Sequence, residues 1–205
     1  MYFLKCYKPI VLMGKKNILD ILAESKRLPQ VIMPKDAGLM VAYTGVSPGW
    51  KVLDVGTGSG WLAMFMANLV SPGKVTSYEK RKDFADNVKE QLKKFGIINL
   101  KVINEDIFTA TIKGKYDLIT VDMKDSEKIL NKLYEALNFG GWIATYSPHI
   151  EQMKAVKTAM LAVGMNDVKI VENIVRDWKA EADFTHPIPS GIMHTGFLVV
   201  GRKRK

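Results

Sequence analysis

The stretch Lys51-Val-Leu-Asp-Val-Gly-Thr-Gly-Ser-Gly60 constrains this chain more than any other. A short β-branched run enters a turn with glycines at 56, 58 and 60, and the helix-like stretch Trp61–Val70 follows at once. The same alternation then repeats. Strand-like runs occur at Lys51–Val55, Lys74–Glu79, Lys101–Asp106, Tyr116–Asp122 and Trp142–Pro148, separated by helix-like Trp61–Val70, Asp83–Phe95, Ser126–Leu137 and Glu151–Val163. Ser71-Pro72-Gly73, Gly96, Gly114 and Gly140-Gly141 read as the turns between them. Strands alternating with helices at this spacing form right-handed βαβ units and a mostly parallel sheet covered on both faces. Near-continuous apolar runs such as Leu118, Ile119 and Val121 are what strands buried on both sides require. The alternation fails at the end. Strand-like Val168–Trp178 and Gly196–Gly201 flank Pro187 and Pro189 with no helical pattern between them, so they pair antiparallel. The expected fold is α/β, a doubly wound Rossmann-like sheet that is mostly parallel and closes in a C-terminal antiparallel hairpin. Residues 1 to about 45 fit neither texture, apart from a helix near Asp36–Tyr43.

Alternating glycines at the carboxyl end of a buried strand let the backbone approach a ligand and leave helix amides free at its edge. Gly58, Gly60 and Ala63 satisfy G-x-G-x-x-G/A, and Glu79 lies about 20 residues on, so a nicotinamide dinucleotide stays open on pattern alone. Two features favour S-adenosylmethionine instead. Asp54 precedes the first glycine, where a carboxylate repels a pyrophosphate but favours an ammonium and a sulfonium. Glu79, Asp106 and Asp122 then end three successive strands, lining a crevice with acid. Glu79 is assigned to the ribose hydroxyls, Asp106 to the adenine amine, and Asp122 to the point where the transferred group emerges. Taken singly, each acid is equally well read as a turn or cap residue.

Four segments resemble a narrower family, the TrmI-type tRNA (adenine-58-N1) methyltransferases within the class I S-adenosylmethionine-dependent enzymes. They are Gln30-Val-Ile-Met-Pro-Lys-Asp36, Asp54-Val-Gly-Thr-Gly-Ser-Gly60, Ser77-Tyr-Glu-Lys-Arg-Lys-Asp-Phe84 and His194-Thr-Gly-Phe-Leu-Val199. The glycine motif is shared by many methyltransferases, whereas the P-K-D and H-T-G-F elements are more specific. The resemblance implies a short N-terminal segment over 1–27 and a methyltransferase domain over 28–205. It places Gln30, Asp54, Gly56, Gly58, Ser59, Gly60, Trp61, Glu79, Asp106 and Asp122 around the cofactor, with Asp122 and Tyr146 on the acceptor side. Asp122 is expected to accept from the exocyclic amine of adenine and to offset the charge of the methylated base. Tyr146 is expected to stack on a flipped base, or else simply to cap the sheet. Trp61 is expected to offer its backbone amide to the cofactor carboxylate while its indole covers the mouth of the site. The family's usual N-terminal domain is not matched, Asp122-Met-Lys-Asp-Ser126 stands where the family shows D-x-P-x-P, and His186-Pro187 stands near its Arg-Pro. A methyltransferase of the precorrin or isoaspartyl type, acting on a small molecule or protein, and a non-catalytic RNA-binding relative are the competing readings.

Composition sharpens the partners. Lys and Arg number 30 against 21 Asp and Glu, a net charge of +9, which suits either a polyanionic partner such as tRNA or a lysine-rich solubilising surface. A single cysteine, Cys6, forms no internal disulfide, which fits a cytoplasmic setting. No apolar run reaches the roughly 20 residues that span a bilayer, so no membrane association is expected. His149, His186 and His194 are too scattered for a metal site. His194 reads as a packing or hydrogen-bonding residue, and the 11 methionines read as core filling. By resemblance the chain is a homo-oligomer, a tetramer.

Overall fold

A computed structural model describes residues 16–26, 31–189 and 194–204. Helix α1 (Ile18–Glu24) opens on a reciprocal cap. The Asn17 side chain accepts from the Leu19 and Asp20 amides, and Asp20 accepts from the Asn17 amide. Helix α2 (Pro34–Thr44) starts with proline in its first turn, where a missing N–H costs nothing, and ends on left-handed Gly45. Then come β1 (Lys51–Val55), α3 (Trp61–Val70), β2 (Lys74–Tyr78), α4 (Lys82–Phe95), β3 (Leu100–Ile103) and β4 (Tyr116–Val121). A 3₁₀ turn at Ser126–Ile129 leads into α5 (Leu130–Ala136), followed by β5 (Leu137–Ser147) and α6 (Ile150–Ala162). The chain closes with β6 (Asn166–Glu172), β7 (Trp178–Ala180), β8 (Thr185–Pro187) and β9 (Phe197–Arg202).

The seven-stranded sheet runs β3-β2-β1-β4-β5-β9-β6. The first five strands are parallel, and β9 enters antiparallel between β5 and β6. The expected doubly wound sheet with an antiparallel close is therefore present. Between β6 and β9 the chain makes a separate two-stranded hairpin, β7 with β8. Alternate residues of each strand feed two cores. Val52, Val75, Leu118 and Ala144 face α1 to α4, while Leu53, Val55, Ile119 and Ile143 face α5 and α6. Met40, Met64, Met66, Met160 and Met165 are buried in these cores. Among the described residues, no helix is long and apolar enough to cross a membrane.

Three boundaries differ from expectation. Gly140-Gly141 is not a join but lies inside β5, which begins directly after α5. A side chain on Gly141 would come within 2.9 Å of the Asp117 carbonyl, so the glycines permit a close strand crossing at a register shift. Strand β3 stops at Ile103, which leaves Asp106 in the turn beyond it. Strand β6 stops at Glu172, and Trp178 belongs to the outlying hairpin. Leu22 of α1 is 1% exposed and packs in the same cluster as α3.

Leu133 on α5 is fully buried in the second core. Leu133→Ala is expected to lower unfolding free energy by about 2–5 kcal/mol, read from chemical denaturation, without changing cofactor affinity.

Candidate active site

The site forms at the carboxyl ends of β1, β2 and β4. Asp54 sits at the base of the glycine turn and is 1% exposed. In the parallel register it lies beside Ser77 on β2 and Thr120 on β4. Their hydroxyls donate to its two oxygens at 2.5 and 2.7 Å, and Thr57 Oγ1 lies 2.5 Å from Ser77 Oγ. Burial nevertheless pushes the Asp54 carboxyl up to about 6, opposed by those two hydrogen bonds and aided by the charge of Glu79. Each Asp54 oxygen thus accepts a hydroxyl from a neighbouring strand, which holds the carboxylate at the base of the turn.

Gly56, at φ 89°, brings the turn against β4. A side chain there would meet the Asp122 carbonyl oxygen at 2.3 Å. The Asp122 amide donates back to the Val55 carbonyl at 2.9 Å. Glu79 locks the other side of the turn, accepting the Gly58 amide at 2.9 Å on one oxygen and the Arg81 amide at 2.9 Å on the other. Its oxygens retain acceptor capacity for hydroxyls. Asn104 holds this corner by donating to the Glu79 and Lys80 carbonyls. Half-buried Asp106 accepts the Phe108 amide on one oxygen at 2.9 Å, and its second oxygen has no hydrogen bond among the described residues. Ser59 is buried, and Gly60 packs against Val88 of α4.

Asp122 differs from these acids. Half-buried, its carboxylate accepts no hydrogen bond among the described residues. Burial, with the charge of Asp54 adding, pushes its carboxyl up to about 7. Tyr146, at the end of β5, is half-buried, and its hydroxyl lies near Thr195 and Asp36. Burial and the charges of Asp36 and Asp122 push the phenol up to about 12, so it stays protonated in the physiological range. Trp61 departs from expectation. Its amide lies at the start of α3, but the indole is 3% exposed, joins the first core and stacks on Phe65 at 6.2 Å. It therefore does not cover the mouth of the site, because the first turn of α3 directs it inward among apolar residues. Gln30 lies outside the described residues. His194, on the surface, donates from Nδ1 to the Glu172 carboxylate at 2.5 Å and from Nε2 to the Pro148 carbonyl at 3.2 Å.

The residues present suit S-adenosylmethionine. Glu79 and Asp106 offer acceptors for ribose hydroxyls and an amine. The charge of Asp54 and Asp122 favours a cationic ligand over a pyrophosphate.

Fold and site together define a class I S-adenosylmethionine-dependent methyltransferase. The chain belongs to the tRNA methyltransferase complex GCD14 subunit family, whose model matches residues 21–200. It is 30% identical to a tRNA (adenine(57)-N(1)/adenine(58)-N(1))-methyltransferase TrmI of Methanocaldococcus jannaschii, over 91% of this chain and 76% of that protein. Two solved structures match with a TM-score of 0.84. A tRNA (m1A58) methyltransferase TrmI of Aquifex aeolicus is 25% identical, covering 93% of this chain and 77% of that one. A SAM-dependent O-methyltransferase of Thermotoga maritima is 27% identical, covering 92% and 71%. Several archaeal protein-L-isoaspartate O-methyltransferases match over only 51–68% of the chain.

Contacts missed from sequence include Ser77 and Thr120, the partners of Asp54. Each is a small hydroxyl residue buried beside Asp54 in the parallel register, a pairing that no local pattern marks. Because folded Asp122 retains a proton that the unfolded chain has released, stability falls as pH rises from about 4 to about 7. Asp122→Asn is expected to flatten this slope and to raise the melting temperature of the ligand-free protein at pH 8.

Proposed function

We propose that this chain transfers the methyl group of S-adenosylmethionine to N1 of an adenine in the tRNA T-loop, of the position-58 type. What carries the reading is the reach of the match. Relatives named TrmI align over 91–93% of the chain, whereas the isoaspartyl enzymes named above align over 51–68%. Likeness to an O-methyltransferase of equal TM-score keeps a second reading in view, the same chemistry on a protein or small molecule.

When bound, S-adenosylmethionine supplies an electrophilic methyl on sulfonium. The turn around Gly56 and Gly58, with Glu79 and Asp106, holds and orients it. Adenine N1 presents its own lone pair, so no general base is required and alignment carries the catalysis. Asp122, the acid without a partner, accepts from the exocyclic amine and offsets the positive charge that N1 methylation creates. Tyr146 walls the acceptor side by its ring and takes no part in proton transfer. The substrate implies a cytoplasmic enzyme and tRNA as partner. A homo-oligomer is supported by the hairpin arm, where Ile174, Val175, Trp178, Phe184 and Ile188 are all exposed.

Labelled S-adenosylmethionine and unmodified tRNA, followed by nucleoside analysis, are expected to yield 1-methyladenosine. Asp122→Asn is expected to lower kcat about 10²–10³-fold while S-adenosylhomocysteine still binds. The wild-type rate is expected to fall as pH drops below about 7, where Asp122 takes up a proton, and this inflection is expected to vanish in the variant. Cofactor binding without transfer to adenine overturns the tRNA reading in favour of the second.

A further inference from the structure

The P-K-D segment at the start of α2 and the H-T-G segment before β9 lie about 160 residues apart in sequence and form one buried cluster. Lys35 Nζ donates to Asp36 Oδ1 at 2.8 Å, to Thr195 Oγ1 at 2.7 Å and to the Asn173 carbonyl at 2.5 Å. An ammonium has three donors, so Lys35 has none left for a ligand. Asn173 returns a hydrogen bond to the Lys35 carbonyl at 2.8 Å. Asp36 is 2% exposed, with its Oδ2 accepting from Thr195 at 3.0 Å. The charges of Lys35 and Asp36 are thus paired and hydrogen-bonded inside the protein, the condition under which buried charge is tolerated.

The cluster lies beside Tyr146, and Thr195 leads directly into Gly196, whose backbone packs on the tyrosine ring. A side chain on Gly196 would stand 2.5 Å from Tyr146 Cζ and 2.7 Å from its hydroxyl oxygen, so the residue after Thr195 must be glycine for the ring to lie where it does. Tyr146 is also near enough to Asp122 to feel its charge. One side of the ring rests on the Gly196 backbone that Thr195 anchors, and the remainder borders the acceptor region.

We propose that Lys35, Asp36 and Thr195 are positioning residues of the methyl-acceptor site: they latch α2 to β9 and fix the Tyr146 ring as the wall facing Asp122. None of them touches the reacting atoms. The Lys35–Asp36 pair does more than hold two segments together, because it fixes Thr195 and with it the Gly196 backbone on which the ring rests. This role rests on the proposed methyl transfer, while the latch itself is a property of the protein alone.

The test uses the full chain with ring-labelled tyrosine and the variants Asp36→Asn, Thr195→Val and Tyr146→Phe. The Tyr146 ring resonances, identified by their loss in Tyr146→Phe, are expected to shift in both Asp36→Asn and Thr195→Val, with S-adenosylhomocysteine affinity unchanged. On tRNA, Asp36→Asn and Tyr146→Phe are each expected to lower kcat about tenfold to a hundredfold. Their combination is expected to be no worse than the more damaging single change. Thr195→Ser, which keeps the hydroxyl, is expected to restore both the ring signal and kcat relative to Thr195→Val. Unmoved ring resonances in both latch variants, or rate losses that multiply in the double variant, overturn the proposal. If Asp36→Asn fails to fold, the Thr195 pair decides alone. Should the wild-type protein methylate no tRNA, the functional reading fails, and the ring resonances still decide for or against the latch.

Discussion

The approach of the Gly56 turn to the end of β4 is the contact on which the rest of the site depends. A β-carbon at position 56 would lie 2.3 Å from the Asp122 carbonyl oxygen, closer than any real contact. Only with glycine there can the turn fold over the central pair of strands, while the Asp122 amide reaches back to Val55. The approach sets two things at once. It seats the turn, whose glycine amides bond to Tyr78, Glu79 and Thr57, and it fixes Asp122 beside the turn by its backbone, leaving the side chain without a hydrogen bond among the described residues. A functional carboxylate held by its main chain keeps both oxygens for a ligand. Glu79 and Asp54 are each used in part or in whole to hold the turn.

The acids accordingly divide by environment. Asp54, satisfied by two hydroxyls, and Asp122, satisfied by none, are both pushed upward by burial, and each charge opposes ionisation of its neighbours. A cationic ligand relieves that repulsion. Cofactor recognition and the proton balance of the crevice are therefore one effect, and a neutral or anionic ligand of similar shape gains none of it.

Much of the fold was legible because its strands are buried on both faces. Runs such as Leu118, Ile119 and Val121 leave little alternative to a covered parallel sheet, and the proline-rich stretch before β9 marked the change to antiparallel pairing. The glycine pair at 140 and 141 misled for a physical reason. Glycine serves a turn and a close strand crossing equally well, and only the neighbour at Asp117 distinguishes them. The indole of Trp61 was expected at the mouth of the site and packs inward, since a residue opening a helix can face ligand or core. The Asn17 cap of α1 carried a readable sign in Asp20 three positions on. Lys35 and Thr195 carried none. Their meeting depends on β9 inserting beside β5, a tertiary choice no local pattern encodes.

That insertion also bears on charge. The acids gather at the carboxyl edge, buried or half-buried, so the excess of positive charge stands outside them. Lys80 and Lys124, exposed beside the turn, both lie near enough to Asp125 to lower its carboxyl pKa, after the larger effects of its hydrogen bond and ion pair with Lys128. An RNA phosphate approaching this edge meets attraction at the rim and repulsion within. A base carries no such charge, and an adenine that becomes cationic on methylation is favoured inside. Under the proposed function, the same arrangement that excludes a pyrophosphate cofactor sorts the substrate, keeping backbone outside and admitting only the base.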